Sequence, residues 1–234
     1  MEKLKIRRLT SNSDFEKCVS IQREAWKHDD IYLTPVTQYR VSVETGAILL
    51  GAFVKKKMAG FVYSFPAIFE KRLCQHSHIL AVLPQYKGCG IGKELKWAQR
   101  DWALKGGYNL VTWTFDPLKA KNANLNFHTL GAVSKTYLPN FYGSVSSLTF
   151  GPNMPTDRIF LEWPLKEERV RIRRKREYEA YDLAHIPKVL ERELGKDRNF
   201  YPVRPLFSSS EKFLLVEILQ DINALRKEPA IIMK

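Results

Sequence analysis

The chain has 234 residues, 44% of them apolar, enough to bury a core, and with 27% charged and 12% aromatic residues and no low-complexity tract it is not a disordered protein. Its 38 Lys and Arg against 25 Asp and Glu leave a net charge of +13, which favours anionic partners: nucleic acid, a membrane surface or a phosphorylated small molecule. The longest apolar run, 47–54, is too short to span a bilayer, MEKLKIRRLT is no signal peptide, and Cys18, Cys74 and Cys89 have no ligand spacing, so a cytoplasmic, metal-free protein with reduced thiols is expected.

In chain order, residues 4–9 alternate as a first strand. Ser13-Asp14-Phe15-Glu16 reads as a capping box opening a helix that runs to about Trp26 and buries Phe15, Val19 and Trp26. A second helix is expected over 36–44, and a hairpin over 47–54 and 59–65. Residues 76–83 form the next strand. After three glycines, Ile91, Leu95, Ala98 and Trp102 fall on one helical face, which puts Lys93, Lys96, Arg100 and Asp101 on the others. Gly106-Gly107 stops that helix. A strand follows over 109–115, ended by Asp116-Pro117, then a helix over 122–130 and strands near 133–137 and 158–163. This order is that of an α+β, or mixed α/β, domain spanning 1–165.

From Lys166 the texture changes. In KEERVRIRRKR, 166–176, seven of eleven residues are basic, and Val170 and Ile172 alternate with arginines as on a charged edge strand. A helix over 178–194, a Pro-bearing loop at 202–205, a strand over 213–219 and a last helix from about Asp221 complete a C-terminal α/β extension, 166–234, packed on the core.

Gly88, Gly90 and Gly92 lie between a strand and a helix N-terminus, where backbone amides and the helix dipole favour an anion such as a phosphate. The spacing fits neither a Walker A loop nor a dinucleotide-binding fingerprint. Gln85-Tyr86-Lys87-Gly88-Cys89-Gly90-Ile91-Gly92 resembles the acyl-CoA-binding signature (R/Q)-x-x-G-x-(G/A) of the GNAT superfamily of N-acyltransferases. The element order from residue 4 to about 165 is similar to that fold too. Within the superfamily, "SHILAVLPQYKGCGIG", "TWTFDPLKAKNANLNFHTLGAV" and "YLPNFYG" look like a group of predicted acetyltransferases.

The resemblance implies a central mixed sheet flanked by helices, acetyl-CoA as cosubstrate, no metal, and transfer of an acetyl group to an amine. Lys87, Gly88, Cys89, Gly90, Ile91, Gly92 and Lys93 would hold the CoA pyrophosphate. Leu80, Ala81 and Val82 would pair with the pantetheine amides like an added strand. Strands 76–83 and 109–115 would splay around the thioester, with an amide near Val82 facing the oxyanion. Asn122 would reach the cofactor.

Many relatives carry a glutamate base on the strand matching 76–83. This chain has none there, but His76 and His78 share one strand face, and a neutral imidazole is a competent base. Where relatives often have a tyrosine acid, four residues before Gly131, stands Phe127. Tyr137 or Tyr142 would have to substitute. Asp116 would hold a cationic substrate or act as base, or simply initiate a turn. Two other readings stay open: a CoA-binding module without transferase activity, and nucleic-acid binding through 166–176. A monomer or a homodimer fits the sequence equally.

Overall fold

The computed structural model describes residues 4–27, 30–143, 155–176, 184–194, 200–203 and 214–216. Alternation builds the sheet. In β2 (Ile48–Val54), Ile48, Leu50 and Ala52 face one side and Leu49 the other, and the same division continues through Val62 against Phe61 and Tyr63 in β3 (Lys57–Phe69). With β1 (Lys5–Arg8), β4 (Arg72–Val82), β5 (Leu110–Phe115), β6 (Val133–Leu138) and β7 (Arg158–Pro164) they form a seven-stranded sheet of order β1-β2-β3-β4-β5-β7-β6. Every neighbouring pair is antiparallel except β4 and β5.

Helices cover both faces. α1 (Asn12–Trp26) and α2 (Val36–Glu44) bury Phe15, Cys18, Ile21, Tyr39 and Val43 against Leu49, Phe61, Tyr63, Ile79 and Ala81. On the opposite face, α3 (Ile91–Lys105) sets Ile91, Leu95, Trp97 and Ala103 against Leu50, Val62, Trp113 and Trp163. Each buried Leu, Ile, Val or Phe among them contributes about 1.5–3 kcal/mol.

Several expectations are corrected. The N-cap of α1 is Ser11 rather than Ser13: its hydroxyl accepts from the Asp14 amide, and Asp14 turns to a bidentate pair with Arg7 of β1. Trp102 is 38% exposed, whereas Lys96, assigned to a polar face of α3, is buried with Trp97 and Gln99. The expected 122–130 helix begins earlier, as α4 (Ala120–Ala123), and widens into a π-helical turn, Asn124–Thr129. The arginine run is not an edge strand but α5 (Glu168–Lys175), because Val170 turns into the core while Arg169, Arg171 and Arg174 take up Gly131 O, Glu168 and Asp101. Where a helix was expected to 194, β8 (Lys188–Leu194) is found, in a small sheet of order β10-β8-β9 with β9 (Phe200–Val203) and β10 (Leu215–Val216). β9 replaces the start of the expected loop at 202–205. The helix expected from Asp221 lies outside the described residues.

Candidate active site

The parallel ladder between β4 and β5 consists of two rungs, Gln75↔Val111 and His76↔Thr112. β4 runs on to Val82, paired only with β3 on its other side, and β5 runs on to Phe115, paired with β7. From Ser77 onward the two central strands therefore part, leaving an edge of β4 inside the sheet that pairs with no strand among the described residues. Such an edge accepts an extended chain as an added strand.

The parting has a local cause. Tyr63 pairs with Ile79 and Ser64 with Ser77, so His78 is the extra residue of a bulge, and bulges bend a strand and raise its twist. His76 anchors the closed end, its Nδ1 3.0 Å from Thr112 Oγ1. Burial first, then the charges of His78 and Lys96, lowers the His76 pKa to about 4, so this ring is neutral at neutral pH. His78 is on the same face, its ring 6.1 Å from Tyr63 and 5.9 Å from Phe65, open to solvent on one side. Protein packed around the ring holds its pKa below the usual imidazole value.

At the far end of β4 stands the glycine loop. Gly88 and Gly90 have φ of +84° and +78°, the left-handed region that side chains resist, and a Cβ at either would meet nothing within 4 Å. Gly90 is the N-cap of α3, whose own bonding begins with Glu94 N–H donating to Gly90 O at 3.1 Å, so the amides before Glu94 point out of the helix end. Gly92 lies against the strand: its Cβ would sit 3.8 Å from Leu80 and 4.0 Å from Val82 side-chain carbons. The sequence-predicted residues Leu80, Ala81, Val82 and Lys87 to Lys93 are thus brought together, with Lys87 and Cys89 exposed and Lys93 paired with Glu94. A split sheet edge, open space above two left-handed glycines and a helix end fit a long, flexible, phosphorylated ligand.

The other candidates line the β5 side. Asp116 follows β5, and its Oδ1 accepts from Leu118 N–H at 2.9 Å, the turn-initiating role. Tyr142 is exposed, its hydroxyl 3.4 Å from Thr114 Oγ1 of β5. Asp116 and Tyr142 share Arg158, a buried guanidinium 5.0 Å from the Tyr142 ring whose pKa burial lowers while both neighbours pull it up. Tyr137 is exposed rather than packed, and its bond to the Asp157 carboxylate pushes its pKa up to about 12. Asn122 is exposed within α4, its backbone N–H donating to Lys119 O. Phe127 packs edge-on against Phe115. His78 approaches from β4 and Asp116 and Tyr142 from beyond β5, on opposite banks of the split.

Sequence reasoning missed Arg158, Ser77 and the burial of Lys96. The signal for Lys96 was Trp97 and Gln99 beside it, which move the buried face of α3 round from Trp102. No group of three or more His, Cys, Asp or Glu that would hold a metal occurs among the described residues, and no helix among them is long and apolar enough to cross a membrane.

A mixed seven-stranded sheet split between two central strands, with a glycine-bearing helix start at the mouth of the split, defines a fold built to receive a thread-like ligand. The model of the acetyltransferase (GNAT) family matches residues 12–132, more than half of the chain, and the chain belongs to that family. The chemistry of that family is acyl transfer. In structure the chain is similar to the ribosomal-protein-S18-alanine N-acetyltransferase of Escherichia coli, at 18% identity and TM-score 0.55 over 70% of this chain and 96% of that one. It is similar also to a GNAT family acetyltransferase of Elizabethkingia anophelis with acetyl-CoA bound, at 17% identity and TM-score 0.55 over 70% and 99%. A third, the PaiA N-acetyltransferase of Thermoplasma acidophilum in complex with coenzyme A, gives 16%, 0.52, 69% and 99%. At such identities the likeness is one of fold. No curated protein matches the chain in sequence.

Proposed function

We propose that the protein is an acetyl-CoA-dependent N-acetyltransferase that transfers an acetyl group to the amine of a small or macromolecular acceptor. The observation that carries this reading is the two-rung ladder between β4 and β5 opening beside the glycine loop. Pyrophosphate fits over Gly88–Lys93, pantetheine runs along Leu80–Val82 as an added strand, and the thioester reaches the split, within reach of the Val82 amide. Asn122 stands where the cofactor would pass α4. Fixing both reactants there removes much of the entropic cost of a bimolecular step. His78, neutral at neutral pH, takes the proton from the incoming ammonium, directly or through water. Asp116 attracts a cationic acceptor to the β5 bank, and Tyr142 offers a hydroxyl there. The protein works without a metal.

Calorimetric titration with acetyl-CoA, followed by thiol release with a panel of amino acids, polyamines and peptides, tests the reading. Binding with micromolar affinity and amine-dependent thiol release are expected. Absence of binding overturns the site; binding without release for any amine leaves a CoA-binding module.

A further inference from the structure

Lys96 is 2% exposed on α3. Its Nζ donates to Gln99 Oε1 at 2.7 Å and Ser77 Oγ at 3.1 Å, and stands 3.9 Å from the centroid of the Trp113 ring. No carboxylate among the described residues forms an ion pair with it. A buried cation without a counter-charge is costly, and an apolar side chain would fill the same space more cheaply.

Its place explains what it gains. Ser77 is the first residue of β4 beyond the last rung with β5, and Trp113 follows Thr112, the β5 half of that rung. The ammonium is thus tied to both strands at the point where they separate, on the α3 side. Gln99 Nε2 also donates to Ser77 Oγ, at 3.1 Å, so the serine oxygen accepts twice and its proton turns away from Lys96. Among the described residues the groups around Lys96 are Ser77 from β4, Trp113 from β5, Trp163 from β7 at 5.4 Å and Gln99 from its own helix, and its charge helps to lower the pKa of His76 in β4. His76, itself held neutral, supplies no counter-charge.

We propose that Lys96 is a charge-stabilising residue for the thiolate that leaves during acyl transfer, a role that rests on reading the split as an acyl-CoA site. The amine nitrogen attacks the thioester carbonyl; the C–N bond forms, the C–S bond breaks, and the bonding pair departs on sulfur. The proton shed by the amine goes to His78 or water, and the CoA thiolate is balanced by the Lys96 ammonium until solvent protonates it. The thioester is neutral, so this attraction grows only as the bond breaks, and interactions of that kind accelerate the step. Below pH 7 the cation is preformed in a dry site and needs no reorganisation to act. With Phe127 where a tyrosine acid would stand, Lys96 answers the leaving group's charge from the opposite side of the sheet.

Free CoA is the probe, since its thiol reports the same charge without an acceptor. Calorimetry establishes binding, and ultraviolet absorbance of the thiolate then follows the bound thiol as pH rises. Lys96 alone loses its proton near pH 7, but a thiolate beside it holds that proton on, so in the parent protein the bound thiol is expected to ionise about one pH unit, roughly tenfold in proton affinity, below that of free CoA. Lys96→Met should return it to the free value with CoA affinity at low pH changed less than about threefold, and Lys96→Gln serves as a second uncharged variant. No CoA binding by the parent removes the reading of the split and this role with it. CoA that binds with an unshifted thiol, or with the same shift in parent and variants, overturns the role of Lys96 alone.

Discussion

Gly90 and Gly92 sit two residues apart and do different work. At Gly90 the positive φ means any side chain strains the loop, so a Val there would damage the backbone as well as crowd a ligand. Gly92, inside the first turn of α3, has no such restriction, and its Cβ position makes ordinary contacts with Leu80 and Val82. Gly92→Glu is the cleaner probe: an acidic residue in a first turn suits the helix dipole, so thermal stability should hold. A carboxylate beside the pyrophosphate should weaken CoA binding at least about tenfold by calorimetry. A variant that binds CoA like the parent would place the phosphates elsewhere. His78 makes a second prediction. Only the neutral ring accepts a proton, and its pKa lies below the reference of about 6.5. Turnover should climb with pH through a limb centred below that value, and fall again as Lys96 loses its proton near pH 7. His78→Ala should lower kcat about 10²-fold and erase the limb while leaving CoA affinity alone. An unchanged rate and profile would make His78 structural and move the base to Asp116 or solvent.

At the scale of elements, legibility followed periodicity. β2, β3, α2 and β5 were readable because a two- or 3.6-residue repeat has one burial solution in each. The glycine loop was readable because two positive-φ positions ahead of a helix need glycine. What failed were segments whose pattern had two solutions. Val170 and Ile172 alternate as in a strand, yet a helix also serves once Arg169 and Arg174 find partners across the fold. Lys96 was misplaced since a lysine counts as polar in any wheel, and only the fold shows Trp113, Ser77 and Gln99 closing round it. The bulge at His78 left no mark in the sequence at all. α5 offers a direct test of its docking. Val170 is fully buried, and Arg169 Nε reaches Gly131 O at 2.8 Å. Val170→Ala removes two methyl groups from the core and should cost about 2 kcal/mol in urea unfolding, with CoA affinity unchanged. No measurable loss would mean that α5 does not rest on the core.

For the whole molecule, two buried bases set the pH dependence of stability, and both act with the same sign. His76 has a folded-state pKa of about 4 against an unfolded value of about 6.5, and Lys96 one of about 7 against about 10.4. Each is depressed by burial above all, so between its two values the unfolded chain binds more protons than the folded one, and stability rises with pH there. The His76 window spans about pH 4–6.5 and the Lys96 window about pH 7–10.4. Loss of excess positive charge from a chain of net charge +13 works in the same direction, so the parent's slope alone does not isolate the lysine. The difference between parent and Lys96→Met does. The methionine carries no proton to lose, and it removes the desolvation cost of the ammonium, so the variant should melt several degrees above the parent at pH 6. As pH rises through the lysine's window the parent should gain on the variant, the gap closing by a few kcal/mol towards pH 10. Melting temperatures of the two proteins followed from pH 5 to 10 in one buffer series test this. Parallel curves would show that Lys96 does not titrate between folded and unfolded states in that range, and that its ammonium is held by a counter-charge beyond Ser77, Gln99 and Trp113.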